Sequence, residues 1–137
     1  MWKLLRPNQR GTSTLEFAAV LPFLCLILVT IIEGSRAWFT LNVVTNAARE
    51  GVRAAVVAQA ADVATDGQAR MNAVLQSAGM TCAGNVCTIT CAPDPCDVDS
   101  QVTANIQVPF NTIVPAFLPG LQNITVRQTA VMRFEGP

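Results

Sequence analysis

The feature that most constrains this chain is an uncharged, apolar run close to its N-terminus. Residues Phe17 to Ile32 carry no charged side chain, and only Pro22 and Thr30 interrupt their apolar character. With its flanking residues the run reaches about 20 residues, which is the length that a helix needs to cross the hydrocarbon core of a bilayer. Only 13% of the whole chain is charged, whereas a soluble domain carries about 25%. The sequence therefore predicts one membrane-spanning helix.

Positive charges precede this run. Lys3, Arg6 and Arg10 lie ahead of it, and no acidic residue accompanies them. Because basic flanks stay on the cytoplasmic side, we expect a cytoplasmic N-terminus and a C-terminal part that lies in a periplasmic or extracellular space. A cleaved secretory signal is the alternative, but residues 33–37 lack the small-residue pattern of such a cleavage site.

The junction between the basic residues and the apolar run carries a more specific motif. Gly11 ends the basic leader, four uncharged residues follow, and Glu16 is then the single charge before Phe17. This junction resembles the prepilin processing site of type IV pilins and pseudopilins. The resemblance implies that a membrane-embedded prepilin peptidase cuts between Gly11 and Thr12, so that Glu16 becomes the fifth residue of a mature chain that keeps its helix.

Glu16 has two interpretations. A carboxylate at the head of a membrane helix is unfavourable, although less so than the about 2.5–3.5 kcal/mol found at the helix centre. The new ammonium group of Thr12, in the same or a neighbouring subunit, would be a partner, and the helix dipole favours the negative charge. Alternatively, Glu16 lies solvated at the headgroup level, with Ser13 or Thr14 as the N-cap. Gly11 and the basic leader favour the first interpretation, in which Glu16 serves assembly.

The remaining chain predicts an α+β fold. Helical spacing of apolar residues from Trp38 to Ala55 extends the first helix, from about Thr14 to about Ala61, and 64–78 predicts a shorter helix that ends at Gly79. Alternating and β-branched residues predict three strands, at 86–90, 101–110 and 124–134, with a loop at 111–122. We therefore expect a pilin-like arrangement, with a long N-terminal transmembrane and amphipathic helix packed on a small antiparallel sheet.

Three stretches narrow the resemblance to one family. They are residues 10–19, residues 33–36 and residues 46–53, the last reading Asn-Ala-Ala-Arg-Glu-Gly-Val-Arg. This pattern is similar to the TadE-like family, the pseudopilins of the tight-adherence (Tad) pilus and secretion machine, over about residues 10 to 55. From the residues alone, Arg49, Glu50 and Arg53 form a solvated helical face, with Glu50 and Arg53 spaced as an ion pair.

The resemblance implies a minor pilin or pseudopilin of a Tad-type (Flp) pilus assembly or secretion system. It implies a leader at 1–11, a transmembrane helix at 12–35 and an extracytoplasmic pilin-like domain at 36–137. The expected location is the bacterial inner membrane, crossed once. The expected partners are the lipid bilayer, the prepilin peptidase, other pilin subunits and the inner-membrane assembly machinery.

The cysteines fall into two groups. Cys25 lies in the apolar run and is expected to act as a small hydrophobe. The other four are spaced C-x4-C-x3-C-x4-C and are Cys82, Cys87, Cys91 and Cys96. Outside the cytoplasm they predict disulfides in one of three pairings. Zinc is the competing interpretation, but structural zinc sites use C-x2–4-C pairs, and a spacing of x4 is at the edge of that range. A strand between Cys87 and Cys91 would hold them apart, so we favour Cys82–Cys87 and Cys91–Cys96.

Composition also limits the function. The chain has no His and lacks the G-x-S-x-G, C-x-x-C and G-x-x-x-x-G-K motifs. We therefore expect no catalytic residue, no cofactor or metal, no small-molecule substrate and no nucleic-acid partner. The alternative function is a single-span, membrane-anchored module for surface adhesion or binding that never joins a filament. Gly11 with Glu16 discriminates between the two, because a plain anchor needs neither residue.

Overall fold

The computed structural model describes residues 12–82, 87–112 and 124–136. Within these ranges it contains the following elements: α1 (Thr12–Val56), α2 (Val63–Ser77), β1 (Cys87–Ala92), β2 (Gln101–Phe110) and β3 (Ile124–Arg133). The expected α+β architecture is confirmed. The chain divides into two compact units, Met1–Ser35 and Arg36–Pro137.

The first unit, in its described part, is the beginning of α1. The helix starts at Thr12, two residues earlier than expected, so Ser13 and Thr14 lie inside it and neither is its N-cap. Pro22 also lies inside the helix. A proline removes one backbone hydrogen bond, which membrane helices tolerate better than exposed soluble ones.

The end of α1 differs from the sequence prediction. The alanine-rich segment was expected to remain helical to Ala61, but α1 ends at Val56. The carbonyl oxygen of Val56 accepts a hydrogen bond from the backbone N–H of Glu135 at 3.2 Å. In a longer helix that oxygen would instead accept from the residue four positions on. A tertiary contact therefore ends the helix where alanine propensity would have continued it.

The second unit has one hydrophobic core, to which both helices and the sheet contribute. Its buried apolar residues are Val44, Ala47, Ala48, Val52, Ala55 and Val56 on α1, Val63, Met71 and Leu75 on α2, Cys87 and Ile89 on β1, Val102, Ala104, Ile106 and Val108 on β2, and Phe134 after β3. Trp38 was expected at the start of this stripe but is 68% exposed. The buried side of α1 in this unit therefore begins at Thr40, and its first buried apolar residue is Val44.

The sheet is antiparallel with the order β1-β2-β3. Ile89 pairs with Ala104, and Ala104 pairs in turn with Ala130. The even-numbered residues of β2 from 102 to 108 are buried, while the odd-numbered ones between them are only half-buried. This period of two directs one face of the sheet to the core. The bounds predicted for β2 coincide with those of the structure, whereas β1 begins and ends later than predicted.

Two glycines set the distance between α1 and α2. A Cβ atom on Gly51 would collide with Met71 Cγ and lie 3.2 Å from the carbonyl oxygen of Gly67. A Cβ atom on Gly67 would lie 2.7 Å from Ile89 Cδ1 and 3.0 Å from Ala55 Cβ. The contacts of both added Cβ atoms would be closer than normal packing permits. The two helices therefore approach at a point where neither carries a side chain.

Two further turns close the second unit. After α2, Gly79 has a φ of 71°, and the N–H of Met80 donates to the carbonyl oxygen of Leu75 at 2.9 Å. These are the marks of a Schellman cap, so the prediction that Gly79 ends the helix is confirmed. Before β2, the buried Ser100 receives the N–H of Asp97 on its hydroxyl at 2.9 Å. The N–H of Phe134 donates to the Ser100 carbonyl at 2.7 Å.

Candidate functional site

The predicted cleavage point lies at the start of α1. Gly11 is outside the described residues, and Thr12 is the first residue of the helix. A cut between them stays a prediction. Cleavage there would keep every described residue of α1 and would place a new ammonium group on Thr12.

Glu16 is an exposed carboxylate within an apolar surface. It lies beyond the first turn of α1, which contains no acidic residue. The field of the helix dipole falls off within that turn, so it favours Glu16 less than expected. The neighbouring Leu15 and Phe17 are 73% and 60% exposed. Among the residues that the structure describes, none pairs with the carboxylate. Glu16 is therefore available to a partner at the N-terminal end of α1.

An apolar surface surrounds α1 from Leu15 to Ile32, on both sides of Glu16. Its large side chains are each between 43% and 73% exposed, and they are Leu15, Phe17, Val20, Leu21, Phe23, Leu24, Leu26, Ile27, Leu28, Ile31 and Ile32. By length and composition α1 is the one helix in the described part of the chain that is suited to cross a membrane. A helix that is apolar on all sides needs lipid or other helices around it.

Two hydroxyl groups of this helix, those of Thr30 and Ser35, are satisfied within it. The hydroxyl of Thr30 donates to the carbonyl oxygen of Leu26 at 2.8 Å, and that of Ser35 donates to Ile31 at 2.8 Å. Unsatisfied hydroxyls are costly in hydrocarbon, and such bonds to the preceding turn remove that cost. Cys25 is exposed and forms no disulfide. The segment is thus compatible with lipid contact on every side.

In the second unit, α1 has a polar face opposite its buried stripe. Asn42, Asn46, Arg49 and Arg53 are exposed and recur at helical spacing. Arg49 and Arg53 are one turn apart, and neither has an ion pair or hydrogen bond with any described residue. We call these two residues the arginine face.

Glu50 does not pair with Arg53, so that expectation was wrong. Its Oε2 accepts from Arg70 Nη2 on α2 at 3.0 Å. The reason is the close approach of the two helices, which brings a side chain from 20 residues away within reach. Sequence spacing along one helix cannot reveal such a partner. Pairing with Arg70 leaves Arg53 on the solvent side.

Arg36, at the start of the second unit, is held against the end of β2. Its guanidinium lies 5.3 Å from the centre of the Phe110 ring. Its Nη2 also donates to the carbonyl oxygen of Asn111 at 3.5 Å. A cation over an aromatic face is worth about 0.5–1 kcal/mol at an exposed site. This contact attaches the last residue of β2 to the helix.

The four clustered cysteines form two disulfides. Cys82 is bonded to Cys87, with a Cα–Cα distance of 5.7 Å, and Cys91 is bonded to Cys96, with a Cα–Cα distance of 5.8 Å. This is the pairing favoured from the sequence. Both bonds flank β1, one at its first residue and one close to its last. Oxidised sulfurs are not available as thiolate ligands, so the pairing leaves no zinc site at these positions.

Sequence analysis missed the glycine pair and recognised the arginines only as a solvated face. The signal for Gly51 was its position in an otherwise strong helix-forming stretch, where a glycine is unfavourable unless packing requires it. Nothing in the sequence alone indicates that Gly67 lies opposite.

Comparison with known proteins found a match, which lies in the first half of the chain. Residues 11–53 match the family model described as TadE-like protein. No curated protein and no solved structure matches the chain. The matched segment runs from the predicted cleavage glycine to Arg53, so it contains the apolar part of α1 and the arginine face. The resemblance stated from residues 10 to 55 is thereby confirmed.

Proposed function

We propose that this chain, which is TadE-like over residues 11–53, is a minor pilin or pseudopilin of a Tad-type (Flp) pilus assembly or secretion system. The family match, and the one candidate span in the described part of the chain, support a membrane-associated pilus component. The finer assignment adds cleavage by a prepilin peptidase and assembly through α1. One observation supports it: the family match covers residues 11–53 and so includes Gly11, Thr12 and Glu16, the residues of the predicted processing junction.

The proposed maturation exposes a charge that matches Glu16. Cleavage after Gly11 leaves a protonated amine on Thr12, four residues before Glu16 on the same helix. Residues four apart lie on one face, about 5–6 Å apart at their Cβ atoms. The two charges neutralise each other within one subunit, or Glu16 meets the amine of a neighbour. The second arrangement adds an attraction that exists only between mature subunits.

The apolar surface of α1 supplies the other contacts through which we propose that the subunits assemble. Before assembly, lipid covers the exposed side chains between Leu15 and Ile32. In an assembled structure, helices of other subunits cover them. The inner membrane is the proposed location, with a cytoplasmic leader and the second unit outside the cytoplasm, where its two disulfides persist. The role we propose is structural and not catalytic.

Cleavage is tested with Gly11→Val, and Gly34→Val on the same helix is the matched control. Wild type and the control should begin at Thr12 when purified from membranes and sequenced from the N-terminus. The Gly11 variant should keep all 11 leader residues and migrate accordingly more slowly. Normal maturation of this variant, or a mature chain that begins near Ala37, would refute the proposal.

Assembly is tested with Glu16→Ala and Glu16→Gln. Both variants should be cleaved like wild type, because the cut lies more than one helical turn away. The amount recovered in the sheared filament fraction should fall by roughly tenfold, the effect of losing an attraction worth about 1.4 kcal/mol. Gln keeps the shape and removes the charge, so a defect in both variants assigns the effect to charge. If wild type is cleaved but never enters a filament, the chain is an anchored surface module instead.

A further inference from the structure

A pocket of about 330 Å³ opens at the end of α1 in the second unit. One wall is formed by the connector between α1 and α2 together with the start of α2, and it carries the small side chains of Ala60 and Ala64. The other wall is β1, with Ile89 and the Cys91–Cys96 disulfide. Asp94 is the one charged residue in its lining. The residues around the pocket are thus mostly apolar by type, its surface is polar and apolar in similar measure, and Asp94 supplies its single carboxylate.

Such a pocket suits a long cationic side chain. The methylene stem of an arginine packs on apolar walls while its guanidinium meets a carboxylate. Asp62 lies in the same connector and Asp97 follows Cys96, and both are exposed. Their charge adds to that of Asp94 and attracts a cation from a distance. Asp94 has no ion pair with any described residue, so it is available to an incoming cation.

The arginine face has the complementary character. Arg49 and Arg53 present two positive charges one turn apart, and both are exposed without a bonded partner in the described chain. Other arginines of the unit are occupied, since Arg70 pairs with Glu50 and Arg133 pairs with Asp99. Arg127 on β3 is exposed as well, but Arg133, the other arginine of that strand, is paired, so β3 offers one unpaired charge where the arginine face offers two.

We propose that the arginine face of one copy docks into the pocket at Asp94 of a second copy. Two copies cannot meet symmetrically through their arginine faces, because like charges would lie together. A face-to-pocket contact joins different surfaces, and contacts of this kind extend into an open array unless rotation closes them. This inference rests on the proposed function, in which the chain assembles beside other subunits. It adds that one such neighbour is a second copy of the chain, and it specifies how the second units of the two copies meet.

The position of the two surfaces along α1 gives the docking a direction. Arg49 lies seven residues before Val56, which is on the order of 10 Å at 1.5 Å per residue. The pocket lies at the connector that follows Val56. Copies with parallel helices are therefore offset by about one to two turns when the contact forms. The array then presents a free pocket on the copy at one end and a free arginine face on the copy at the other end.

The contact is tested by photo-crosslinking the full-length chain in membranes of a producing bacterium. A photoreactive phenylalanine derivative replaces Arg53, and the same derivative at Arg127 is the matched control. Membranes from unlabelled and ¹⁵N-labelled cultures are fused, so that copies with the two labels mix. The Arg53 probe should crosslink to residues 60–64 or 89–96 of a chain with the other isotope label. Crosslinks to other parts of the second copy, to another protein alone, or to nothing overturn the proposal.

Charge exchange gives a second, independent test. With the photoreactive derivative moved to Asn46 on the same polar face, Arg49→Glu with Arg53→Glu should lower the yield of chain-to-chain crosslinks by tenfold or more. Asp94→Arg with Asp97→Arg should do the same, because each change creates like charges at the contact. Combining all four substitutions in one chain should restore the yield, whereas Arg127→Glu should leave it unchanged. Failure of the combination to restore crosslinking overturns the proposal.

These outcomes separate the docking from the proposed function. If chains with a reversed arginine face are cleaved at Gly11 and still enter filaments in wild-type amounts, the pilin function stands and the docking contact is wrong. If wild-type chains are neither cleaved nor found in filaments, the proposed function fails regardless of the crosslinks.

Discussion

The two halves of α1 show how one helix can be built for two surroundings. Up to Ser35, apolar side chains cover every side, and none of the most apolar stretch is buried within the protein. From Arg36 onward, apolar residues are confined to one stripe that ends in the core, while Asn42, Asn46 and the arginine face occupy the other side. The first pattern needs a nonaqueous surrounding, and the second needs a core on one side and water on the other.

The two halves also use glycine differently. A Cβ atom added to Gly34 would have nothing within 4 Å, whereas one added to Gly51 would meet Met71 and Gly67. A glycine in a helix interior is unfavourable by about 1 kcal/mol relative to alanine. At Gly51 the close approach of α2 compensates for this, and at Gly34 no contact with a described residue does. Gly51 is therefore required by the packing of α2 on α1, whereas the space beside Gly34 is open.

The largest effect should come from filling the helix crossing. Gly51→Leu would collide with Met71 and separate α1 from α2, and overpacking of this kind destabilises by about 3 kcal/mol or more. For a unit of this size the melting temperature should fall by roughly 10–20 °C. Gly34→Leu is the control and should leave the transition unchanged or raise it slightly. Thermal unfolding followed by circular dichroism in detergent distinguishes the two, and equal melting temperatures would show that the crossing is loose.

A positive charge placed on one half of α1 should affect membrane insertion, whereas the same charge on the other half should not. Leu24→Arg puts a cation on the exposed surface of the apolar half and should disfavour insertion by about 2.5–3.5 kcal/mol. Asn46→Arg adds the same charge to an exposed position of the other half and should have no such effect. The measurement is the fraction of protein that resists alkaline extraction from membranes. Similar extraction of both variants would contradict a membrane-spanning first half.

Removing a disulfide should affect the second unit alone. Cys82→Ser with Cys87→Ser opens a short loop and should lower the free energy of unfolding by about 2 kcal/mol. Cys91→Ser with Cys96→Ser should do about the same. Cys25→Ser, in the apolar half, is the control and should leave the urea midpoint of the second unit in place. A shift caused by Cys25→Ser would mean that this cysteine contributes to the fold of that unit.

The smallest effect should come from the ion pair between the helices. Arg70→Met removes the partner of Glu50, and since Arg70 is 54% exposed the loss should be about 0.5 kcal/mol. Arg49→Met, on the unpaired arginine face, should change stability less. Salt should reduce the Arg70 effect, because exposed charges are screened. A loss well above about 1 kcal/mol in the Arg70 variant would show that the pair is more important to the helix crossing than its exposure indicates.

The sequence was most informative where a pattern had a single solution. The alternation in β2 places Val102, Ala104 and Ile106 on one face, and a shift by one residue would expose them all, so its bounds were predictable. The apolar run was equally clear, because no soluble surface helix lacks a polar side over that length. The Gly79 cap followed from a residue type that suits a positive φ.

The features that the sequence did not predict share one cause, which is contact between parts of the chain that are distant in sequence. The end of α1 depends on a bond from Glu135, and the partner of Glu50 comes from α2. The Gly51–Gly67 crossing and the pocket at Asp94 likewise exist only once α2 and β1 have packed. Local propensity is a weak guide at such places, since packing decides among states that differ little in local energy.

The placement of the two disulfides makes the borders of the sheet unequal. β1 and β3 are the outer strands, and outer strands are where a sheet peels or accepts a foreign strand. Each disulfide joins a cysteine of β1 to a residue five positions away, outside the strand, so the chain is tied on both sides of β1 but neither bond links β1 to β2. β3 contains no cysteine and is retained by hydrogen bonds and packing. Reduction should therefore loosen the chain that enters and leaves β1, while the hydrogen bonds of β1 to β2 and the whole of β3 stay as they are.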